Sequence, residues 1–226
     1  MPPSRKRIRN RAVAIFGGTF DPVHYGHLRA AAEISERLKV SDFRLVPAGR
    51  PPHREGTWAE AFHRLAMLEL AVASYPDLHV DAREVLRTGP SFMVDTLASV
   101  RTEVPDVPLL LCVGQDAANH LDRWDRWQRL LDLAHLVVMT RPRSEPAYPD
   151  QLAELLEQRR VGRARDLMDS PCGLVCHVEV TQLAISSTDI RNQLRHGWNP
   201  RFLLPATVLS YIRKHELYGA GPAGGG

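Results

Sequence analysis

One short segment near the N-terminus constrains the fold more than any other part of the chain. The apolar run 12–16 is typical of a buried strand, and residues 28–38 have the pattern of a helix. Between them, the glycine pair 17–18 predicts a tight turn from strand to helix. The backbone N–H groups of such a turn, and the positive end of the helix, favour an anion such as phosphate. His24 and His27 add two imidazole donors at the same place.

Common phosphate and metal motifs do not account for this turn. It is not a Walker loop, because no Gly-Lys-Ser/Thr follows the glycines, and it lacks the G-x-G-x-x-G and H-E-x-x-H spacings. A simple glycine turn followed by surface histidines would explain a lone Gly-Gly. It does not explain Pro22, which stiffens the loop, together with two histidines spaced to share one helix face.

Strand and helix patterns alternate along the rest of the chain, and this order predicts the fold class. We expect a single α/β domain of the doubly wound, Rossmann-like type, with a mostly parallel sheet and helices on both faces. Ligands of such sheets collect beyond the carboxyl ends of the strands, where the glycine pair and Gly114 both fall. Further strands are predicted at 43–47, 78–80, 85–86, 109–113, 135–139 and, as an outer strand, 174–180; helices are predicted at 59–74, 91–100 with Ser91 as the cap, 151–160, from 185–191 onward, and 205–215.

Composition and charge restrict the class of protein. Of the 226 residues, 44% are hydrophobic and 24% are charged, as expected of one globular domain at 11–218. A basic flexible tail at 1–10 and a disordered Gly-rich tail at 219–226 are predicted to flank it. The net charge is only +3 and no aromatic-rich basic module follows the tail, so nucleic-acid binding is not favoured. No apolar run approaches the ~20 residues of a membrane span, and no signal peptide is visible.

The three cysteines do not suggest a disulfide framework. Cys112 lies in an apolar, strand-like run and is predicted to be a buried thiol. Cys172 and Cys176, with His177 adjacent, have no second ligand pair at a suitable spacing, so no metal site is predicted. Reduced cysteines are consistent with a cytoplasmic location.

Two further segments carry residues suited to nucleotide chemistry. A single serine at a helix start usually caps the helix, but 186–188 offers three hydroxyls in a row and Arg191 lies one turn beyond. Helix N–H groups, hydroxyls and a guanidinium together form a phosphate clamp. At 114–116, Gly114 lets the backbone approach a ligand, and Asp116 is suited to ribose hydroxyls or to Mg²⁺-bound water, with an ordinary helix cap as the alternative.

These segments resemble the nucleotidylyltransferase superfamily, whose signature is H-x-G-H after a Gly-rich turn. The fuller string Gly-Gly-Thr-Phe-Asp-Pro-Val-His-Tyr-Gly-His-Leu is similar, more narrowly, to the bacterial nicotinate mononucleotide adenylyltransferases. Residues 185–191 resemble that family's I-S-[SA]-T-x-[IL]-R motif, and 114–116 match its Gly-Gln-Asp. The resemblance extends from about Val13 to Tyr218; the segment 159–172 departs from it and is expected to be an idle surface insertion.

The resemblance implies an enzyme that transfers the adenylyl group of ATP, carried with Mg²⁺, to nicotinate mononucleotide, giving deamido-NAD and pyrophosphate. It implies that His24, His27 and Arg191 are catalytic, and that Trp124 stacks on the nicotinate ring while Trp127 is structural. The implied ATP contacts are Gly17, Gly18, Thr19, Phe20, His24, His27, Gly114, Asp116, Ser187, Thr188 and Arg191; the implied mononucleotide contacts are Arg54, Thr88, Gly89 and Trp124.

Other interpretations stay open at this point. Nicotinamide mononucleotide or another phosphorylated acceptor is the nearest alternative; phosphopantetheine adenylyltransferases share the turn but are shorter and lack the Gly-Gln-Asp with its tryptophans. A non-catalytic nucleotide-binding protein would need neither both histidines nor the arginine, and all three are present. Whether the chain forms a homo-oligomer is not indicated by the sequence.

Overall fold

The computed structural model describes residues 10–51, 57–140, 146–181 and 183–221. The expected mononucleotide contact Arg54 lies outside the described residues, as do residues 1–9 of the predicted basic tail and residues 222–226 of the predicted Gly-rich tail. None of the helices that the structure describes has the length and apolarity needed to cross a bilayer.

The core of the fold is one parallel sheet, which confirms the predicted α/β class. Its strand order is β3-β2-β1-β4-β5-β7-β6, so the direction of winding reverses between β1 and β4. The strands are β1 (Asn10–Gly18), β2 (Val40–Pro47), β3 (His79–Val80), β4 (Leu109–Gly114), β5 (His135–Thr140), β6 (Arg160–Val161) and β7 (Val175–Glu179).

Helices connect the strands in the alternating order that a parallel sheet requires. Short 3₁₀ turns at Leu121–Arg123, Trp127–Arg129, Ala164–Asp169 and Leu217–Gly219 complete the connections. The α-helices are α1 (Tyr25–Leu38), α2 (Ala61–Val72), α3 (Arg83–Leu86), α4 (Met93–Glu103), α5 (Gln115–Ala118), α6 (Leu130–Leu133), α7 (Asp150–Gln158), α8 (Ser187–Arg195) and α9 (Ala206–Lys214).

Each face of the sheet is covered by its own hydrophobic cluster, as in a doubly wound fold. Along β1, Ala14 and Phe16 point into the cluster formed with α1, α2, α8 and α9. The alternate residues Val13 and Ile15 point into the cluster formed with α4, α6 and α7. Since successive side chains of a strand alternate between faces, the unbroken apolar run 109–113 is what a central strand covered on both sides requires.

The structure corrects two predicted elements. Residues 85–86 belong to α3, because the Asp81 carboxylate accepts the backbone N–H of Arg83 at 3.0 Å and starts a helical turn. Ser91 does not cap α4, which begins at Met93; its Oγ instead accepts the backbone N–H of Gly49 at 2.9 Å.

Three expectations about the later part of the chain also change. Strand β7 is not outermost, because β6 pairs along its other side. The segment 159–172 is therefore not an idle insertion: it supplies that edge strand, and Leu167 within it is fully buried. Ala220 is also buried, so the chain is still packed on the domain beyond residue 219. By contrast, burial of the Cys112 thiol is confirmed, and it raises the pKa of that group to about 12.

Candidate active site

A cleft of about 450 Å³ opens where the strand order reverses, at the carboxyl ends of β1 and β4. This is the position at which doubly wound sheets bind their ligands. Six of the residues predicted to contact substrates line the same cleft, although they come from three separate segments of the chain. They are Gly17, Gly18, Thr19, His27, Gly114 and Trp124, and they are joined by Ala48, Pro51, Glu84, Ser91, Phe92, Met93 and Asp125.

The two histidines of the motif stack on each other at the start of α1. His24 is the N-cap residue, and its carbonyl oxygen accepts the backbone N–H groups of His27 at 3.0 Å and Leu28 at 3.2 Å. The imidazole centroids are 3.7 Å apart with an interplanar angle of 27°. A Cβ on Gly26 would lie 2.9 Å from two atoms of the His24 ring. Glycine at this position therefore allows the His24 ring to fold back against His27.

Burial keeps this histidine pair uncharged in the absence of a ligand. Burial lowers the pKa of His24 to about 4. Burial also lowers the pKa of His27 well below its ordinary value, and the neighbouring His24 lowers it further. The Nδ1 atoms of both rings are buried, and neither has a hydrogen-bond partner among the described residues. An anion entering the cleft would favour the charged form of each ring, so the pair is suited to receive negative charge.

The lowered pKa of His24 predicts how stability depends on pH. The unfolded chain binds a proton at this residue below about pH 6.5, whereas the folded chain does not bind it until about pH 4. Stability contributed by the neutral ring is therefore present above pH 6.5 and is lost as the pH falls through this window. At pH 5 the expected loss is about 2 kcal/mol of unfolding free energy relative to pH 8.

Urea unfolding of the ligand-free protein at pH 8 and pH 5 measures this loss. The variant His24→Asn is a suitable control, because asparagine does not titrate here and is a favourable N-cap residue. Its unfolding free energy should fall less between the two pH values than that of the wild type. Equal falls in the two proteins would contradict the assignment of this proton to His24.

Phe20 packs against the ring of His27 from the core and does not line the cleft. Its side chain is buried, and its ring lies edge-on to His27 with centroids 5.0 Å apart and an interplanar angle of 73°. A second edge contact to Phe16, at 5.9 Å, fixes it in the core. Phe20 was predicted to contact ATP, but in the structure its role is to position the imidazole of His27.

The start of α8 packs directly on the histidine loop. Ser187 Oγ donates to the carbonyl oxygen of Pro22 at 2.9 Å, and Arg191 Nη1 donates to the carbonyl oxygen of Asp21 at 2.6 Å. Arg191 is buried, and its Nη2 donates to Oγ1 of the exposed Thr188 at 3.2 Å. Hydroxyls, a guanidinium and two imidazoles thus meet at one loop, through hydrogen bonds between residues 165 and 170 positions apart in the chain.

A buried carboxylate that the sequence analysis did not single out organises this loop. Asp21 accepts the backbone N–H of Trp58 at 2.8 Å, that of Ala59 at 3.2 Å and the hydroxyl of Tyr218 at 2.7 Å. Burial and the adjacent Asp21 raise the pKa of the Tyr218 hydroxyl, which therefore remains a donor. The position of Asp21 within the Gly-Gly-Thr-Phe-Asp string could have indicated that it belongs to the site. No feature of the sequence around Tyr218 indicates the same of that residue.

A further residue that the sequence analysis did not single out is Arg64, on α2, which is fully buried. Its guanidinium donates to three carbonyl oxygens: those of Thr19 at 2.8 Å, Gly49 at 3.0 Å and Ala59 at 3.2 Å. These carbonyls belong to the loops after β1 and β2 and to the start of α2. Arg64 thus fixes two edges of the cleft relative to each other.

The predicted mononucleotide end of the cleft is formed by two loops tied together. Ser91 Oγ accepts the backbone N–H of Arg50 at 3.1 Å as well as that of Gly49, and the Ser91 N–H donates to the Arg50 carbonyl at 2.9 Å. The predicted contacts Thr88 and Gly89 lie just before this tie but do not line the cleft, which is lined by Ser91 and the two residues after it.

The far side of the cleft is built on β4. A Cβ on Gly114 would meet no described atom within 4 Å, so packing does not require a glycine at this position of the cleft wall. The predicted ATP contact Asp116 is exposed on α5 and does not line the cleft, although its neighbour Ala117 does. Trp124 lines the cleft and also packs on the core, whereas Trp127 packs on the core beside Leu131 and Leu152.

Comparison with known proteins identifies the class first. Residues 15–193 match the model of the cytidylyltransferase-like family. A structure of nicotinic acid mononucleotide adenylyltransferase from Plasmodium falciparum, described as complexed with NaAD, shares the fold, with a TM-score of 0.73 over 93% of this chain and 98% of that one at 16% identity. The parallel sheet, the H-x-G-H turn and the family match together define a nucleotidyltransferase.

Similarity over nearly the full length identifies the family within that class. The probable nicotinate-nucleotide adenylyltransferase of Methylococcus capsulatus is 48% identical over 207 residues, covering 91% of this chain and 99% of its own. That of Pseudomonas aeruginosa is 46% identical over 211 residues, covering 93% and 98%. The chain therefore belongs to the nicotinate-nucleotide adenylyltransferase family.

Proposed function

We propose that this protein transfers the adenylyl group of ATP to nicotinate mononucleotide, forming deamido-NAD and releasing pyrophosphate. The observation that carries the proposal is the stacked His24–His27 pair, of which His27 lines the cleft, joined through the Asp21–Pro22 loop to Arg191 and Ser187. Relatives named nicotinate-nucleotide adenylyltransferase that match over 91% or more of this chain, and a structural neighbour described as complexed with NaAD, support the choice of substrates.

The chemistry we propose is direct in-line attack of the mononucleotide phosphate on the α-phosphorus of ATP. Such transfers depend mainly on positioning and charge stabilisation, and a phosphate monoester already carries most of its charge near neutral pH, so no strong base is needed. His27, with His24 behind it, stabilises charge that develops on the α-phosphate. Arg191, Ser187 and the N-terminal N–H groups of α8 stabilise the leaving pyrophosphate.

Magnesium enters this proposal as part of the substrate Mg·ATP. In the part of the chain that the structure describes, no group of three or more His, Cys, Asp or Glu side chains is placed to hold a metal ion. Mg²⁺ commonly keeps several waters and binds through substrate phosphates with one or two carboxylates. The donor set therefore fits an ion that the triphosphate carries; among the described residues, the carboxylates that line the cleft are those of Glu84 and Asp125.

An assay of product identity tests the proposal. The protein is incubated with Mg·ATP and either nicotinate or nicotinamide mononucleotide, and dinucleotide and pyrophosphate are quantified. We expect both products from the acid, at a higher kcat/KM than from the amide. Preference for the amide would change the substrate assignment, and absence of any dinucleotide with both acceptors would contradict the proposed function.

Replacing Trp124 tests the mononucleotide end of the cleft. Its π-face fits a flat heteroaromatic acid, so Trp124→Ala should raise KM for nicotinate mononucleotide about tenfold while changing KM for ATP less than twofold. Trp124→Phe keeps an aromatic face and should recover most of the loss. Initial-rate kinetics with each substrate varied separately measure the effect, and a change confined to ATP would remove the stacking role from Trp124.

A further inference from the structure

One exposed aromatic side chain lies against the arginine of the site. Trp58 is 58% exposed, which is unusual for so large an apolar group. Its ring centroid is 5.6 Å from Cζ of Arg191 and 4.7 Å from Cζ of Arg195. Both distances are within the range in which a cation is attracted to the face of an indole. The exposed ring therefore has a specific electrostatic partner on α8.

The main chain of Trp58 is fixed independently of its side chain. Its backbone N–H donates to Asp21 Oδ2 at 2.8 Å, and the carbonyl oxygen of Asp21 accepts from Arg191 Nη1 at 2.6 Å. The backbone of Trp58 is thus linked to Arg191 through Asp21, whereas its ring contacts the same arginine directly. Because the backbone bond does not involve the indole, substitution of the side chain leaves it in place.

The Trp58 indole reduces the repulsion between the two guanidinium groups of Arg191 and Arg195. Arg191 and Arg195 are four residues apart, on adjacent turns of one helix face, where like charges repel. The negative face of a single indole lies close to both guanidiniums. Arg191 is buried, and charge–quadrupole contacts such as this one are stronger where water has little access.

We propose that Trp58 is a positioning residue that holds Arg191 toward the leaving pyrophosphate. Arg195 stacks on the same indole and keeps it in place. This inference rests on the proposed function, in which Arg191 stabilises the pyrophosphate. It assigns to Trp58 an effect on the ATP and pyrophosphate end of the reaction and none on the mononucleotide end.

The experiment compares Trp58→Leu, which keeps an apolar side chain without the π-face, with Trp58→Phe, which keeps a π-face. Forward kinetics are measured with ATP and nicotinate mononucleotide varied separately, and reverse kinetics with inorganic pyrophosphate varied. Trp58→Leu should lower kcat/KM for ATP and for pyrophosphate about 3- to 20-fold. KM for nicotinate mononucleotide should stay within twofold, and Trp58→Phe should recover most of the loss.

Trp198 provides a matched control, because it is 67% exposed and its ring contact is with His196. Trp198→Leu should leave all of these constants within twofold. The assignment is overturned if Trp58→Leu matches the wild type, if Trp58→Phe is no better than Trp58→Leu, or if the loss is equal for both substrates. A thermal midpoint of each variant within a few degrees of the wild type ensures that folded proteins are compared.

Calorimetric binding of inorganic pyrophosphate separates this inference from the proposed function. If the wild type binds pyrophosphate but forms no dinucleotide, the proposed function fails; weaker binding by Trp58→Leu would still support the positioning role. If the wild type forms dinucleotide and Trp58→Leu binds pyrophosphate equally well, only the positioning role fails. Absence of both turnover and pyrophosphate binding in the wild type would overturn both.

Discussion

Replacement of His27 by alanine should lower kcat at least a hundredfold while the protein stays folded. His27 lines the cleft at the turn after β1, and its ring is held between His24 and Phe20. A donor fixed in this way stabilises charge in the transition state without reorganising, and loss of one such donor typically costs ~10²–10³ in rate. The effect should appear in kcat and kcat/KM alike, because the interaction strengthens only as charge develops.

The control for this prediction is a histidine outside the cleft. His120 is exposed and is absent from the residues that line the cleft, so His120→Ala should keep kcat within twofold. Circular dichroism and a thermal unfolding midpoint establish that His27→Ala is folded. Turnover of folded His27→Ala within tenfold of the wild type would remove the catalytic role from this residue.

The position of this turn in the fold was predicted from the sequence because its determinants are local. A strand, a glycine turn and a helix start follow one another within residues 12–28, so their carboxyl-end position in a parallel sheet follows from the fold class alone. The role of Gly26 was not predicted, since only the folded ring of His24 shows that a Cβ would collide there. Phe20 was predicted to contact ATP, but its side chain is buried and does not line the cleft. The backbone geometry of the turn, and not the residue type, decides which side chains enter the cleft.

The site residues that the sequence did not predict are held by contacts between segments far apart in the chain. The Tyr218–Asp21 bond joins residues 197 apart, and the Arg64–Thr19 bond joins residues 45 apart. Neither tyrosine nor arginine at these positions carries a local pattern that distinguishes a buried partner from a surface side chain. The pairing of Ser187 and Arg191 with the histidine loop was expected only through the family resemblance, and the structure supplies its physical basis in two hydrogen bonds to backbone carbonyls.

Arg64→Met is expected to lower the unfolding free energy by about 3–5 kcal/mol, the largest stability change that we predict for a single side chain. The methionine would fill part of the space, but the carbonyl oxygens of Thr19, Gly49 and Ala59 would lose a charged donor in a buried region. Each buried acceptor left without a partner costs about 1–3 kcal/mol. Urea unfolding at pH 8 measures the change.

Two further variants make the Arg64 measurement specific. Arg64→Lys keeps the charge but replaces the planar fork with a single ammonium group on a flexible stem, which cannot reproduce the geometry of the three bonds, so its loss should be intermediate. Arg160→Met removes an exposed arginine paired with Glu157 and should change stability by less than about 0.5 kcal/mol. If Arg64→Met is as stable as Arg160→Met, the loops at the cleft edges are held by other contacts. If it is destabilised as expected, KM for both substrates should also rise, because the loops after β1 and β2 lose the cation that joins them.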